Sequence, residues 1–203
     1  MKYLVPALLL MLMFSTSANS QSIALGIEGG INIANVNVTP TTTTSSKTGI
    51  LVGGLIDINI TPTITITSGA RYLTKGWNNT NAGVTYNVSM GYLEFPALLK
   101  VKFPLTEVKP YLIAGPTLGI KLSANEEASN GTQTQNTDIS SLVESTDFGL
   151  LFGAGIDFKV GNKTSLFFQP AYSLGLSNVL KNSTTTTIKN YGFQLTGGVK
   201  FNL

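Results

Sequence analysis

Residues 147 to 160 read Asp147-Phe148-Gly149-Leu150-Leu151-Phe152-Gly153-Ala154-Gly155-Ile156-Asp157-Phe158-Lys159-Val160. Phe148, Leu150, Phe152, Ala154, Ile156, Phe158 and Val160 fall on one face of a period-two pattern. Asp147, Gly149, Leu151, Gly153, Gly155, Asp157 and Lys159 fall on the other. Side chains two apart share a face only in a strand; at helical spacing these apolar groups would scatter around the axis. One face is large and apolar, and the other is small and carries the charge. The last segment repeats the scheme, with Tyr191, Phe193, Leu195, Gly197, Val199, Phe201 and Leu203 against Asn190, Gly192, Gln194, Thr196, Gly198, Lys200 and Asn202.

The alternation extends back to Gln21. Ile23 to Ile33, Ile50 to Ile60, Ile64 to Lys75, Leu93 to Phe103, Leu112 to Leu122 and Leu166 to Gly175 follow it. Leu51, Leu55, Tyr111 and Ile113 are apolar residues on the polar face. Eight strands result, most of them about 11 to 15 residues long. Thr61-Pro62, Pro104 to Lys109 and Gly161-Asn162-Lys163 make short links rich in turn-forming residues. Residues 37–48, 76–87, 123–145 and 177–187 make long polar ones, two of them with Thr/Ser runs that read as solvated, mobile surface. Short and long links alternate, as in an antiparallel barrel with turns at one rim and loops at the other.

Composition points the same way. Of 203 residues, 42% are hydrophobic and only 11% charged, against roughly 25% charged in an ordinary soluble domain. With neither His nor Cys, the chain can form no Ser-His-Asp or Cys-His nucleophile, no His- or Cys-bound zinc site and no disulfide. A net charge of +3 without a basic cluster gives no reason to expect a nucleic-acid partner. Lys2, the apolar run Tyr3 to Phe14 and the small residues Ala18-Asn19-Ser20 have the layout of an export signal peptide spanning 1–20, cleaved before Gln21. Twelve apolar residues fall short of the roughly 20 that a membrane-spanning helix needs, which disfavours an anchor. The mature domain is then 21–203.

Backbone polar groups in lipid must pair within the protein, so a spanning chain without apolar helices must close into a barrel. The rival is a soluble calycin-like barrel holding an apolar ligand, which should bury its apolar face and expose charge. Here the apolar face is nearly free of charge and the Gly-rich face carries it, which fits lipid outside and a narrow filled interior.

Tyr92-Leu93-Glu94-Phe95-Pro96-Ala97-Leu98-Leu99-Lys100 and the following Lys109-Pro110-Tyr111-Leu112-Ile113-Ala114-Gly115-Pro116 resemble paired motifs of the porin-like outer-membrane β-barrels of Gram-negative bacteria, the PorT-like family. Gly26-Ile27-Glu28-Gly29-Gly30-Ile31-Asn32 and Phe152-Gly153-Ala154-Gly155-Ile156-Asp157 are similar to Gly-rich strands of the same family. The resemblance implies an eight-stranded antiparallel up-and-down transmembrane barrel in the cell outer membrane. It implies no single activity. Strands of this class often end on an aromatic; the sequence has Leu203 last, and Phe201 is expected to serve instead.

Glu28, Asp57, Arg71, Glu94, Lys100, Lys102, Lys121, Asp147, Asp157, Lys159 and Lys200 are expected in the lumen. They read either as an ion path or as compensating pairs that fill a narrow barrel, and their near-balance of sign favours pairs. Glu126-Glu127 reads as solvated acid rather than an acid/base pair, with a divalent cation as an alternative. Trp77, Tyr72 and Tyr92 are expected to mark the outer aromatic girdle. No catalytic, cofactor-binding or metal-binding residue is assigned. The expected protein is a monomeric, non-enzymatic outer-membrane barrel in contact with lipid. Its role is structural or surface-interacting, reaching envelope proteins or extracellular surfaces through its loops. The alternatives are a narrow pore for ions or small solutes and the soluble ligand-binding barrel.

Overall fold

Thr, Val, Ile and aromatic residues at alternating positions favour an extended backbone, and in a computed structural model every regular element of the described residues, 22–103 and 108–203, is a strand. These are β1 (Ser22–Thr39), β2 (Ser45–Asn59), β3 (Ile64–Asn81), β4 (Val84–Lys102), β5 (Val108–Ser129), β6 (Thr134–Asp138), β7 (Thr146–Lys159), β8 (Thr164–Gly175) and β9 (Thr187–Asn202). Each barrel strand pairs antiparallel with its chain neighbour, and β1 pairs with β9 from Ala24↔Asn202 to Thr39↔Thr187. The ring therefore closes on eight strands, with β6 outside it, hydrogen-bonded to the far end of β5. The expected leader, 1–20, and most of the Pro104 to Lys109 link lie outside the described residues.

The outer surface is apolar over a band of defined height. Exposed Ile and Leu run from Ile23 to Ile33 on β1 and from Leu112 to Leu122 on β5, and exposed Phe and Leu from Phe148 to Phe158 on β7. Each run covers ten residue steps. At about 3.3 Å per step and a tilt near 45°, that is roughly 25 Å along the barrel axis, the height of the lipid-facing band of outer-membrane barrels. Among the described residues, all nine buried charged residues lie on the opposite, inner face. The soluble ligand-binding barrel is thereby overturned, because its apolar side chains would line the inside.

The strands are longer than the alternation indicates. β5 has 22 residues and β4 has 19, so much of the expected loops 37–48, 76–87 and 123–145 is strand. Beyond the lipid band both faces meet water, and the apolar/polar alternation fades there while the backbone ladder continues. The link expected over 76–87 shrinks to the two-residue turn Ala82-Gly83, with φ of 49° and 81°. Both values lie in the left-handed region, as a type I′ hairpin requires. Short and long links therefore do not alternate strictly. β6 is a ninth strand inside the expected 123–145 loop, and 177–187 remains irregular up to β9.

Inside, the exceptions to the polar face become the packing. Leu51 and Leu73 join Val88, Met90, Tyr92 and Ala124 in one apolar cluster, and Tyr111 and Ile113 join Leu98, Leu151 and Ala171 in another. Ala124 faces inward because β5 bulges between Lys121 and Ser123 opposite Gly91 and Tyr92, which shifts the face by one residue. The Tyr111 ring packs against Gly155, where an added Cβ would sit 2.3 Å from it. Gly155→Val is expected to lower stability by about 1–3 kcal/mol through overpacking. Measured as the urea midpoint of the folded, slow-heating gel band, the loss should be less than additive with that of Tyr111→Ala, since both act on one contact.

The girdle assignment is corrected in two of its three residues. Tyr92 is buried inside the barrel, and Trp77 packs against the interior cluster at the loop end. Only Tyr72 lies on the outer face, beside Gly91. The outer aromatic ladder runs instead through Phe152, Tyr172 and Tyr191, with ring centroids 5.5 Å and 6.3 Å apart. Its members come from β7, β8 and β9, so the ladder depends on strand register rather than on any local motif.

Candidate functional site

The inward alternation of eight strands brings side chains from every part of the chain into one narrow lumen. Two ion-pair networks result. In the first, the Arg71 guanidinium donates to Glu94 through Nε at 3.0 Å and Nη2 at 2.6 Å, and to Gln194 Oε1 at 3.1 Å. Glu28 stands 3.8 Å away on the other side. Lys75 bridges Glu94 at 3.1 Å and Asp147 at 3.0 Å, and Asp147 also accepts from Asn190 and Ser177 at 2.9 Å. In the second network Lys100 and Lys200 share Asp57 at 2.8 Å and 3.1 Å, and Lys200 reaches Asp157 at 2.6 Å. Thr67 donates to Asp57 at 2.5 Å.

Rings complete the solvation of these charges. Lys100 lies 4.6 Å from the centroid of Tyr111, Lys200 lies 5.3 Å from that of Phe167, and Lys75 lies 5.2 Å from that of Tyr92. Each buried cation therefore has carboxylate partners, and the lysines also face aromatic π-density, the arrangement under which buried charge is tolerated. Between the networks a gap beside Arg71, Leu98 and Lys100 holds about 10 Å³, room for at most a single water. Asn32 Oδ1, Asn190 Oδ1 and Gln194 Nε2 have no protein partner, and small interior waters are expected there.

The loop end is closed by apolar packing. Val143 and Val179 from the loops sit in the cluster of Leu51, Leu73, Val88 and Met90, with Ile139 and Ile188 against it. Lys121 donates to the carbonyls of Ser140 and Val143, which ties the 139–145 segment down onto the rim. In the same segment the exposed Asp138 accepts from the Ser140 N–H at 2.8 Å. Hydrogen bonds from the Ser140 side chain and backbone hold its carboxyl below the usual carboxylate range.

Of the eleven residues expected in the lumen, Glu28, Asp57, Arg71, Glu94, Lys100, Asp147, Asp157 and Lys200 are buried there. Lys102 and Lys159 stand at the end that carries the short turns, where a cavity of about 240 Å³ opens. Lys121 belongs to the loop-end closure. These three sit where the strands leave the lipid band, so facing inward no longer means being buried. Lys75 is the addition; it shares the polar face of β3 with Arg71, and the period alone places it inside. Glu126 and Glu127 are consecutive on β5 and point to opposite faces, so they do not form a joint acid/base or cation site.

Residues 18–181 match the family model described as outer membrane protein beta-barrel domain. Among solved structures, the chain is similar to Neisserial surface protein A at 16% identity and a TM-score of 0.51, covering 88% of this chain and 97% of that one. It is also similar to a major outer membrane protein of Thermus thermophilus at 11% identity and a TM-score of 0.51, covering 89% and 99%. At such identities the likeness is one of fold. No curated protein sequence matches. The lipid-height apolar band, the closed ring of eight strands and the match over most of its length together make this chain a member of the outer membrane protein beta-barrel domain family, located in the Gram-negative outer membrane.

Proposed function

We propose that the protein is a non-catalytic, monomeric barrel whose role is structural and surface-interacting, with its outward sheet as the part that meets other molecules. In this reading residues 1–20 are an export leader and 21–203 the barrel domain. The observation that carries the proposal is a lumen filled by paired charges and rings beneath a polar sheet that projects well past the lipid. β5, at 22 residues, measures roughly 50 Å along the barrel axis, about twice the lipid-facing band. Its outer part carries β6, all of whose residues are exposed and polar. Such a surface is suited to hydrogen bonding with extracellular or envelope partners, and the filled lumen leaves no route for solute.

Purified protein inserted into planar bilayers is expected to show no conductance steps above the lipid baseline. A steady ohmic conductance would overturn the proposal in favour of a narrow pore. The interaction half is tested by replacing 125–138 with an Asn-Gly turn that joins the paired ends Ala124 and Ile139. The variant should keep the heat-dependent gel shift of a closed barrel while cells displaying it lose attachment to matrix-coated surfaces. Unchanged attachment would remove the hairpin from that role.

A further inference from the structure

Ion pairing is complete among the buried cations of the barrel and stops at its two ends: at the loop end Lys121 is held by carbonyls, whereas at the end that carries the short turns the cations face an open cavity. Arg71, Lys75, Lys100 and Lys200 each have a carboxylate within 3.1 Å. Lys102, Lys109 and Lys159 have none within salt-bridge distance among the described residues. Yet all three line the cavity of about 240 Å³ at that mouth, together with Asn162 and Ser165. The two carboxylates of the cavity, Asp57 and Asp157, are already neutralised by Lys100 and Lys200. Lys102 Nζ is steadied by Asn59 Oδ1 at 2.6 Å, a neutral partner that leaves its charge uncompensated. Among the described residues, three ammonium groups are thus in surplus in one concave space.

The cavity is blind. Its floor is the Asp57 network under the Tyr111 ring, and the gap beyond it holds about 10 Å³. A cup with low-dielectric walls and one sign of surplus charge concentrates its field on whatever enters. Lysine ammonium groups bind phosphate oxygens as point charges, and the barrel frame holds these three on different strands around one opening. We infer that this periplasm-facing cup is a binding site for a phosphate-bearing anion, either a soluble phosphate compound or an anionic phospholipid headgroup of the inner leaflet. The inference is independent of the surface role proposed above.

The test uses the folded full barrel in a non-ionic detergent at low salt, titrated with inorganic pyrophosphate and followed by backbone amide shifts. Saturable shifts are expected at Asn162, Ser165 and Lys102, weakening as salt rises. The combined variant Lys102→Gln, Lys109→Gln, Lys159→Gln should weaken binding about tenfold or more, with the heat-dependent gel shift retained. Lys163→Gln, in the same turn but outside the cup, should bind as the natural protein does. Non-saturable shifts, or equal binding by the triple variant, would overturn the assignment. Nanodiscs separate the two sources. If phosphatidylglycerol reproduces the shifts without pyrophosphate and phosphatidylcholine does not, the ligand is a headgroup. If pyrophosphate acts equally in both, it is soluble.

Discussion

Arg71→Ala is expected to lower the stability of the folded barrel by about 3–5 kcal/mol, the cost of breaking a buried ion pair by removing one partner. Arg71 is 2% exposed and serves three acceptors, Glu94, Glu28 and Gln194. Alanine leaves Glu94 with Lys75 alone and Glu28 with no cation, in a space too tight to admit a hydrating shell. Lysine at the same position restores the charge but cannot donate through two nitrogens, so Arg71→Lys should recover only part of the loss. The measurement is the urea midpoint of folding into micelles, read from the gel shift. Arg71→Met with Glu94→Leu removes both charges and is expected to lie closer to the natural protein than either single variant. If Arg71→Ala costs under about 1 kcal/mol, the lumen is wetter than described and the pairing is not what holds the strands in register.

The second large effect lies on the other face. Ile27 is 66% exposed near the middle of the apolar run Ile23 to Ile33. In a water-facing position, Ile27→Arg would change stability by no more than about 0.5 kcal/mol. Facing the middle of a bilayer, the same change should cost about 2–4 kcal/mol. Folding yield and urea midpoint in lipid vesicles distinguish the two, with Thr132→Arg at the exposed tip of the β5–β6 link as a neutral control. An Ile27→Arg variant as stable as the control would contradict the lipid-facing assignment of β1 and, with it, the height of the band.

Ile27 and Arg71 differ in how much of their surroundings is written in neighbouring residues. The placement of Ile27 follows from a period of two around Glu28 and needs nothing beyond neighbouring residues. The same local logic places Arg71, Glu94 and Asp157 inside, and Lys75 with them. It cannot say that Lys75 meets Asp147, 72 residues away, or that Lys200 meets Asp57, 143 residues away. The aromatic ladder from Phe152 to Tyr191 escaped for the same reason. The burial of Tyr92 needs no distant partner: Tyr92 is two residues from Glu94 on the inward face of β4, and the same period places it inside. Strand ends escaped for another reason. Thr- and Asn-rich segments outside the lipid show no contrast between faces, so β4 and β5 continue past the last alternating residue unannounced.

What the sequence determined by itself is the strand period, the number of strands that cross the lipid, and which face of each looks inward. Those properties depend on residues two apart meeting either lipid or the lumen, and that contrast is written locally. Which charges pair, where the lumen closes and where, among the described residues, three lysines stand without a carboxylate emerged from the folded barrel. Those depend on closure and register, which bring the first strand against the last and set every side chain's height relative to partners far along the chain.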